Sequence, residues 1–204
     1  MSVQLWLIRH GETEWSLSGA HTSVTDIPLT DHGRQRAVEL REYLHGRKFT
    51  AVYVSPRQRA QETCQIAGYG EQAVVDDCLQ EWNYGESEGK TTKEMRAIRG
   101  ADWSVWTSEM VGGETVEAVG LRADKMIATS LAAASFHEGP DPGHQAVALF
   151  AHGHILRILA ARWIGLDAVG GRLFGLGTGS VSVLGYERDT RVIERWNRGF
   201  EEGQ

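Results

Sequence analysis

The chain has 204 residues, 41% hydrophobic and 24% charged, the composition of a soluble globular domain, and a domain of that size buries roughly 70% of the surface its unfolded chain exposes. Its 27 acidic and 21 basic residues give a formal charge of −6, with Lys and Arg scattered rather than striped, which argues against a nucleic-acid backbone as the main partner. The two cysteines, Cys64 and Cys78, fit neither a disulfide framework nor a zinc-ligand spacing, so reduced thiols and a cytoplasmic location are expected.

The apolar run from Val3 to Ile8 is too short for a signal-peptide core or a membrane span. It ends at Arg9, His10 and Gly11, which predicts a buried strand whose carboxyl end opens into a loop. Thr30 offers a cap to an amphipathic helix with Ala37, Leu40 and Leu44 at helical spacing, fading near Gly46. Ala51 to Val54 reads as a second strand. Ser55 and Pro56 then predict an N-cap and a first-position proline, with Arg59 in the first turn of the helix they open. Ala73 to Val75 is a short third strand, and the stretch from Leu79 to Gly89, rich in Gly and Glu and without either period, is expected to be a functional loop.

Thr91 and Glu94 have capping-box spacing for a short helix, and a longer helix is expected from about Glu114 to Ala134, with Trp103 and Trp106 between the two. Gln145 to Ala151 is another buried strand. It ends at His152, Gly153 and His154, after which Ile155, Leu156, Leu159 and Trp163 recur as a helix face. Two strands, Ser180 to Tyr186 and Arg191 to Trp196, close the pattern. Strands alternating with helices predict an α/β fold of three layers, α/β/α, around a mostly parallel sheet, in a single domain spanning residues 1–204.

Arg9 with His10, Arg59, Glu81 and His152 all fall at carboxyl ends of predicted strands or in the loops after them, where an open parallel sheet gathers its site. Together they have the parts that phosphoryl transfer needs. Planar guanidinium groups, Arg9 and Arg59, suit the equatorial oxygens of a phosphoryl group. A neutral imidazole, His10, can attack phosphorus and form a phosphoramidate that water later cleaves. A second imidazole, His152, best as a cation, would stabilise the spreading charge. A carboxylic acid, Glu81, would protonate the leaving oxygen and then activate water.

The segment from Leu7 to Trp15 (LIRHGETEW) resembles the signature of the histidine phosphatase, or phosphoglycerate mutase-like, superfamily. Leu29 and Thr30 with Gly33, Ser55 and Pro56 with Arg59, Ala60 and Thr63, Leu79 and Glu81 with Gly85, Glu88 and Gly89, Gly113 to Thr115, and His152 with Gly153 follow in that family's order. The resemblance spans nearly the whole chain and implies a phosphoglycerate mutase-like fold. It implies His10 as nucleophile, Glu81 as proton donor, and Arg9, Arg59, His152 and Gly153 around the phosphate. It also implies that Ser16, Thr22, Ser23 and Tyr84 line the substrate side; Ser16 and Ser23 stand where the family commonly has Asn and Gly.

Within the family, the segments from His21 to Thr30 and from Glu81 to Gly85 resemble those of acid phosphatases and sedoheptulose-bisphosphatase-like enzymes, which implies a phosphatase acting on small phosphorylated metabolites, with sugar phosphates the leading class. No cofactor and no metal is expected. Three alternatives stay open: a cofactor-dependent phosphoglycerate mutase-type phosphotransferase, a non-catalytic phosphate-binding module, and a metallohydrolase using His152 and His154. Trp82, Trp103 and Trp106 belong either to the cleft wall or to the core. The expected partner is a small phosphorylated substrate, with neither nucleic acid nor membrane, and self-association into a homo-oligomer is left open.

Overall fold

The structure, a computed structural model, describes residues 2–135 and 144–199. Strands β1 (Ser2–Arg9), β2 (Ala51–Val54), β3 (Ala73–Val75), β4 (His144–Ala151), β5 (Val181–Glu187) and β6 (Thr190–Arg198) form one sheet in the order β3-β2-β4-β1-β5-β6. The first four in that order run parallel, whereas β5 is antiparallel to β1 and β6 to β5. The sheet is therefore mostly parallel, as the alternation of strands and helices predicts.

The apolar runs of β1 and β4 are continuous because both sheet faces are covered. Leu5 and Leu7 of β1, with Val147 and Leu149 of β4, pack on helices α5 (Val116–Ser135) and α6 (Gly153–Trp163), through Val119, Met126, Ile155 and Leu159. The alternate residues Trp6, Ile8, Ala148 and Phe150 pack on α2 (Asp31–Leu44) and α3 (Gln58–Ile66), through Leu40, Leu44, Ala60 and Cys64. Leu5, Leu7 and Ile8 have no exposed surface, and each such side chain contributes roughly 1.5–3 kcal/mol by burial. The Cys64 thiol, in the second of these layers, is pushed up to about 12 by the same burial. No helix among the described residues is long and apolar enough to cross a membrane.

Four helix starts show how side chains set the boundaries. Thr30 caps α2 as expected, accepting from Gly33 N. Thr91 and Glu94 close both halves of a capping box on α4 (Thr92–Arg99). By contrast α3 begins at Gln58, later than Ser55 and Pro56 predict, and its cap comes from a distant residue: Gln58 N donates to Asp26 Oδ1 at 2.9 Å. Ser55 Oγ still accepts from Arg57 N at 3.3 Å, just ahead of the helix, while also meeting His152. A short helix that periodicity does not reveal, α1 (Glu14–Ser18), is capped by Thr13 with Ser16 in the reciprocal position.

Candidate active site

His10 and His152 follow β1 and β4 at matching positions, because Arg9 pairs with Ala151 across the parallel ladder and His10 N donates to Ala151 O. That register alone brings the two imidazoles together, with ring centroids 5.1 Å apart. His10 is 5% exposed and its Nδ1 lies 2.6 Å from its neighbour's carbonyl, Gly11 O. Burial, reinforced by Arg9 and Arg59, holds His10 well below the ordinary histidine value. The turn after it is tight: a Cβ on Gly11 would stand 2.5 Å from Gly33 O, and one on Gly33 would stand 2.3 Å from Glu12 O. Only glycines permit this approach of the first loop to the start of α2.

His152 has no exposed surface, and both ring nitrogens are engaged. Arg59 Nε donates to Nδ1 at 3.2 Å, which places the ring proton on Nε2, 2.7 Å from Ser55 Oγ. Burial first, then Arg59, His10 and Arg9, push its pKa well below the ordinary value. The sequence reading assigns His152 best as a cation; in this arrangement it is neutral, because a guanidinium donates to it and no carboxylate faces it.

The two arginines are held differently. Arg9 Nη1 donates to Leu176 O, while Arg9 Nε is buried without a hydrogen-bond partner among the described residues. Arg59 is fully buried and does not line the cleft; its Nη1 donates to Thr25 O and its Nη2 to Thr22 O and Ser23 O. Those carbonyls are fixed in turn by the Glu88 carboxylate, which accepts from Ser23 N, Ser23 Oγ and Thr25 N. Ser23 is thus a buried anchor behind the cleft and not part of its lining.

Glu81 enters from the opposite side and is 7% exposed. Oε1 accepts from Trp82 N and Ile155 N, and Oε2 from His154 N, at 2.9–3.0 Å, so the carboxylate sits on the N-terminus of α6, where the helix dipole favours negative charge. The loop that carries it is clamped from behind. Arg122 donates to Cys78 O and Gln80 O and pairs with both oxygens of Glu114, which also accepts from Asn83 N. Burial pushes Glu114 up, but the bonds from Arg122 and Asn83 outweigh it and leave the carboxyl below its ordinary value. Helix α5 starts at Val116 and not at Glu114 because Thr115 caps it, its Oγ1 accepting from Ala118 N at 3.2 Å. A Cβ on Gly113 would stand 2.2 Å from Asn83 O, so the two loops meet backbone to backbone.

The cleft between these groups has a volume of about 410 Å³. Of the residues the sequence singles out, Arg9, His10, Glu81, Gly153, Ser16, Thr22 and Tyr84 line it. His152 and Arg59 stand directly behind His10. Of the three tryptophans, Trp82 and Trp103 are core, and Trp106 is half-buried and walls the cleft. His21, Arg96, His154 and Arg157 also line it; of these, sequence reasoning weighed only His154, as a metal ligand beside His152. Arg157 lies one helical turn after Gly153 on α6, a spacing that could have found it; its guanidinium lies 4.7 Å from the Trp106 ring centre.

His152 and His154 do not converge on a common point, since the nitrogens of the first go to Arg59 and Ser55 and Nδ1 of the second to Tyr84. Among the described residues no group of three or more His, Cys, Asp or Glu side chains is placed to hold a metal ion.

Comparison with known proteins gives the same picture from outside. Residues 5–199 match the model of the histidine phosphatase superfamily (branch 1). The chain is 38% identical over 193 residues to an acid phosphatase of Mycobacterium tuberculosis, covering 93% of this chain and 90% of that one. It is 37% identical over 182 residues to a sedoheptulose 1,7-bisphosphatase of Saccharomyces cerevisiae, covering 78% and 67%. A solved, functionally characterised open reading frame product of Mycobacterium tuberculosis superposes with a TM-score of 0.88 at 34% identity, over 97% of this chain and 98% of that one. A strand-end His pair, an opposed carboxylate and a family match along nearly the full length belong together: the chain belongs to the histidine phosphatase superfamily and is a histidine phosphatase.

Proposed function

We propose that the protein hydrolyses phosphomonoesters of small metabolites, sugar phosphates foremost, through a phosphohistidine on His10. The observation that carries this reading is the state of His10. Its Nδ1 faces the Gly11 carbonyl at 2.6 Å and so carries the proton, which leaves the Nε2 lone pair free, and its lowered pKa keeps the ring neutral. In the first step Nε2 attacks phosphorus in line: the N–P bond forms, the P–O bond to the leaving group breaks, and Glu81, which takes up a proton as the phosphate dianion arrives, gives that proton to the departing oxygen. In the second, the Glu81 carboxylate takes a proton from water as the water oxygen attacks phosphorus, and the N–P electrons return to His10.

Arg9, with its unpaired Nε, supplies the direct cationic contact, and Arg59 adds charge from behind His152. An approaching phosphate dianion raises the His152 pKa, and to donate to a phosphoryl oxygen the ring must give up its bond to Ser55 or to Arg59. Ser16, Thr22, Tyr84 and Gly153 border the same space. The sugar-phosphate preference is supported by the relative named a sedoheptulose 1,7-bisphosphatase and by the hydrogen-bonding character of this lining. Purified protein incubated with a panel of sugar phosphates is expected to release inorganic phosphate. Transfer of the phosphoryl group between substrate positions without release would establish a mutase instead, and binding without turnover a phosphate-binding module.

A further inference from the structure

His154 stands in the cleft, yet the chemistry above uses only its backbone N–H, on Glu81. Its ring is framed by aromatics, with centroids 6.1 Å from Trp82, 5.6 Å from Tyr84 and 4.9 Å from Trp106, so its orientation is fixed by packing. Nδ1 lies 2.6 Å from the Tyr84 hydroxyl. Burial, with Glu81 nearby, holds that phenol well above its usual pKa, and the hydroxyl has no other acceptor among the described hydrogen bonds. The phenol therefore donates to Nδ1, and the ring proton of His154 sits on Nε2.

Nε2 makes no hydrogen bond among the described residues and is not one of their buried unpaired atoms; the ring is 18% exposed, on the side that lines the cleft. Nδ1 is 3.9 Å from Glu81 Oε2, so the imidazole stands beside the carboxylate that meets the leaving oxygen, with Nε2 on the ring edge away from Tyr84. Burial, with Arg157, His21 and Arg9 around it, keeps the ring neutral, so this donor does not change with pH across the neutral range.

We propose that His154 is a specificity-determining residue whose Nε2–H donates to a hydroxyl oxygen of the leaving group, on a carbon next to the scissile ester, selecting polyol phosphates over plain alkyl phosphates. This rests on the hydrolase reading and names the leaving-group chemistry it prefers. A site that offers a fixed donor discriminates against the analogue lacking the oxygen, because the donor is then left unpaired.

The test compares kcat/KM for glycerol 3-phosphate and propyl phosphate, which share a three-carbon chain and differ in hydroxyls, in wild type and in His154→Leu, His154→Gln and Tyr84→Phe. The ratio of the two values favours glycerol 3-phosphate in wild type. His154→Leu lowers that ratio about five- to tenfold, the scale of one neutral hydrogen bond. His154→Gln, which keeps an N–H donor, recovers part of it, and Tyr84→Phe, which frees the tautomer, lowers it by about twofold. Tyr84→Phe also carries the test should His154→Leu not fold. Equal proportional loss on both esters, or a ratio that none of the variants moves, overturns the assignment. A wild type that releases phosphate from sugar phosphates but shows no preference between the two esters overturns the assignment alone, whereas one that releases phosphate from neither these esters nor the sugar phosphates sinks the hydrolase reading itself.

Discussion

The two ends of the cleft are built in different ways. At the phosphate end, His10 and His152 continue adjacent parallel strands, and hydrogen-bonded register fixes their separation before any side chain packs. At the leaving-group end, Glu81, Tyr84, Trp106 and His154 come from two loops and a helix start, held by Glu114, Arg122 and close backbone approach at Gly113. On the proposed reading, the group that takes the phosphoryl is placed at the end of the rigid sheet, and the groups that would meet the leaving group are placed on loops, where changes disturb the fold least.

That division can be broken by experiment. Glu81→Gln should slow alkyl and sugar phosphates by about 10²–10⁴, the range of a lost general acid, while an aryl phosphate, whose phenolate leaves unaided, loses far less in the phosphorylation step. Comparing kcat/KM for both ester types across pH measures this, and equal losses would take the proton-donor role from Glu81. At the phosphate end the expectation is reversed. Arg9→Ala and Arg59→Ala should each cost about 10²–10³ in kcat/KM whatever the leaving group, with lysine rescuing incompletely for want of the planar fork. A near-wild-type Arg59→Ala would mean that its bonds to Thr22, Ser23 and Thr25 are structural alone.

Stability offers a smaller effect that spans both ends. His10, His152 and His154 are all held well below the ordinary value, chiefly by burial. In the unfolded chain each titrates near about 6.5, so below that pH the unfolded state binds more protons than the folded one. Their contribution is complete above about pH 6.5 and is lost as the pH falls, at a limit of about 1.4 kcal/mol per pH unit for each histidine. Urea unfolding between pH 8 and 5.5 should show the decline beginning near 6.5, before carboxylates such as Glu114 titrate. A flat profile would mean that these rings take up protons in the folded state. The smallest expected effect is none at all: dialysis against EDTA should leave turnover unchanged, and a loss restored by zinc or magnesium would reopen the metal reading of His152 and His154.

The same division governs what could be read without coordinates. Arg9, His10, Glu81 and His152 were legible because strand ends follow from apolar runs and residue type then indicates chemistry. Ser55 was misread because a helix-capping signal and a partner for His152 look alike in one dimension; only the fold shows that Asp26 supplies the cap. Ser23, Trp106 and Arg157 owe their positions to contacts with residues far away in sequence, Ser23 through Glu88, and Trp106 and Arg157 through each other. No local pattern encodes the contacts of Ser23 and Trp106, whereas the one-turn spacing from Gly153 marks the face of Arg157 but not its partner. The tautomers of His10 and His154, on which the chemistry depends, are set by single acceptors and donors and were invisible for the same reason.

The central claim is that the phosphoryl group resides on His10. The direct measurement is a rapid acid-free quench of the protein with a substrate carrying labelled phosphate, followed by denaturation in base and peptide mapping. The account predicts a base-stable, acid-labile label on the peptide containing His10, absent in His10→Ala, which should also have no measurable turnover of sugar phosphates. A label on any other residue, or full activity in His10→Ala, would contradict it.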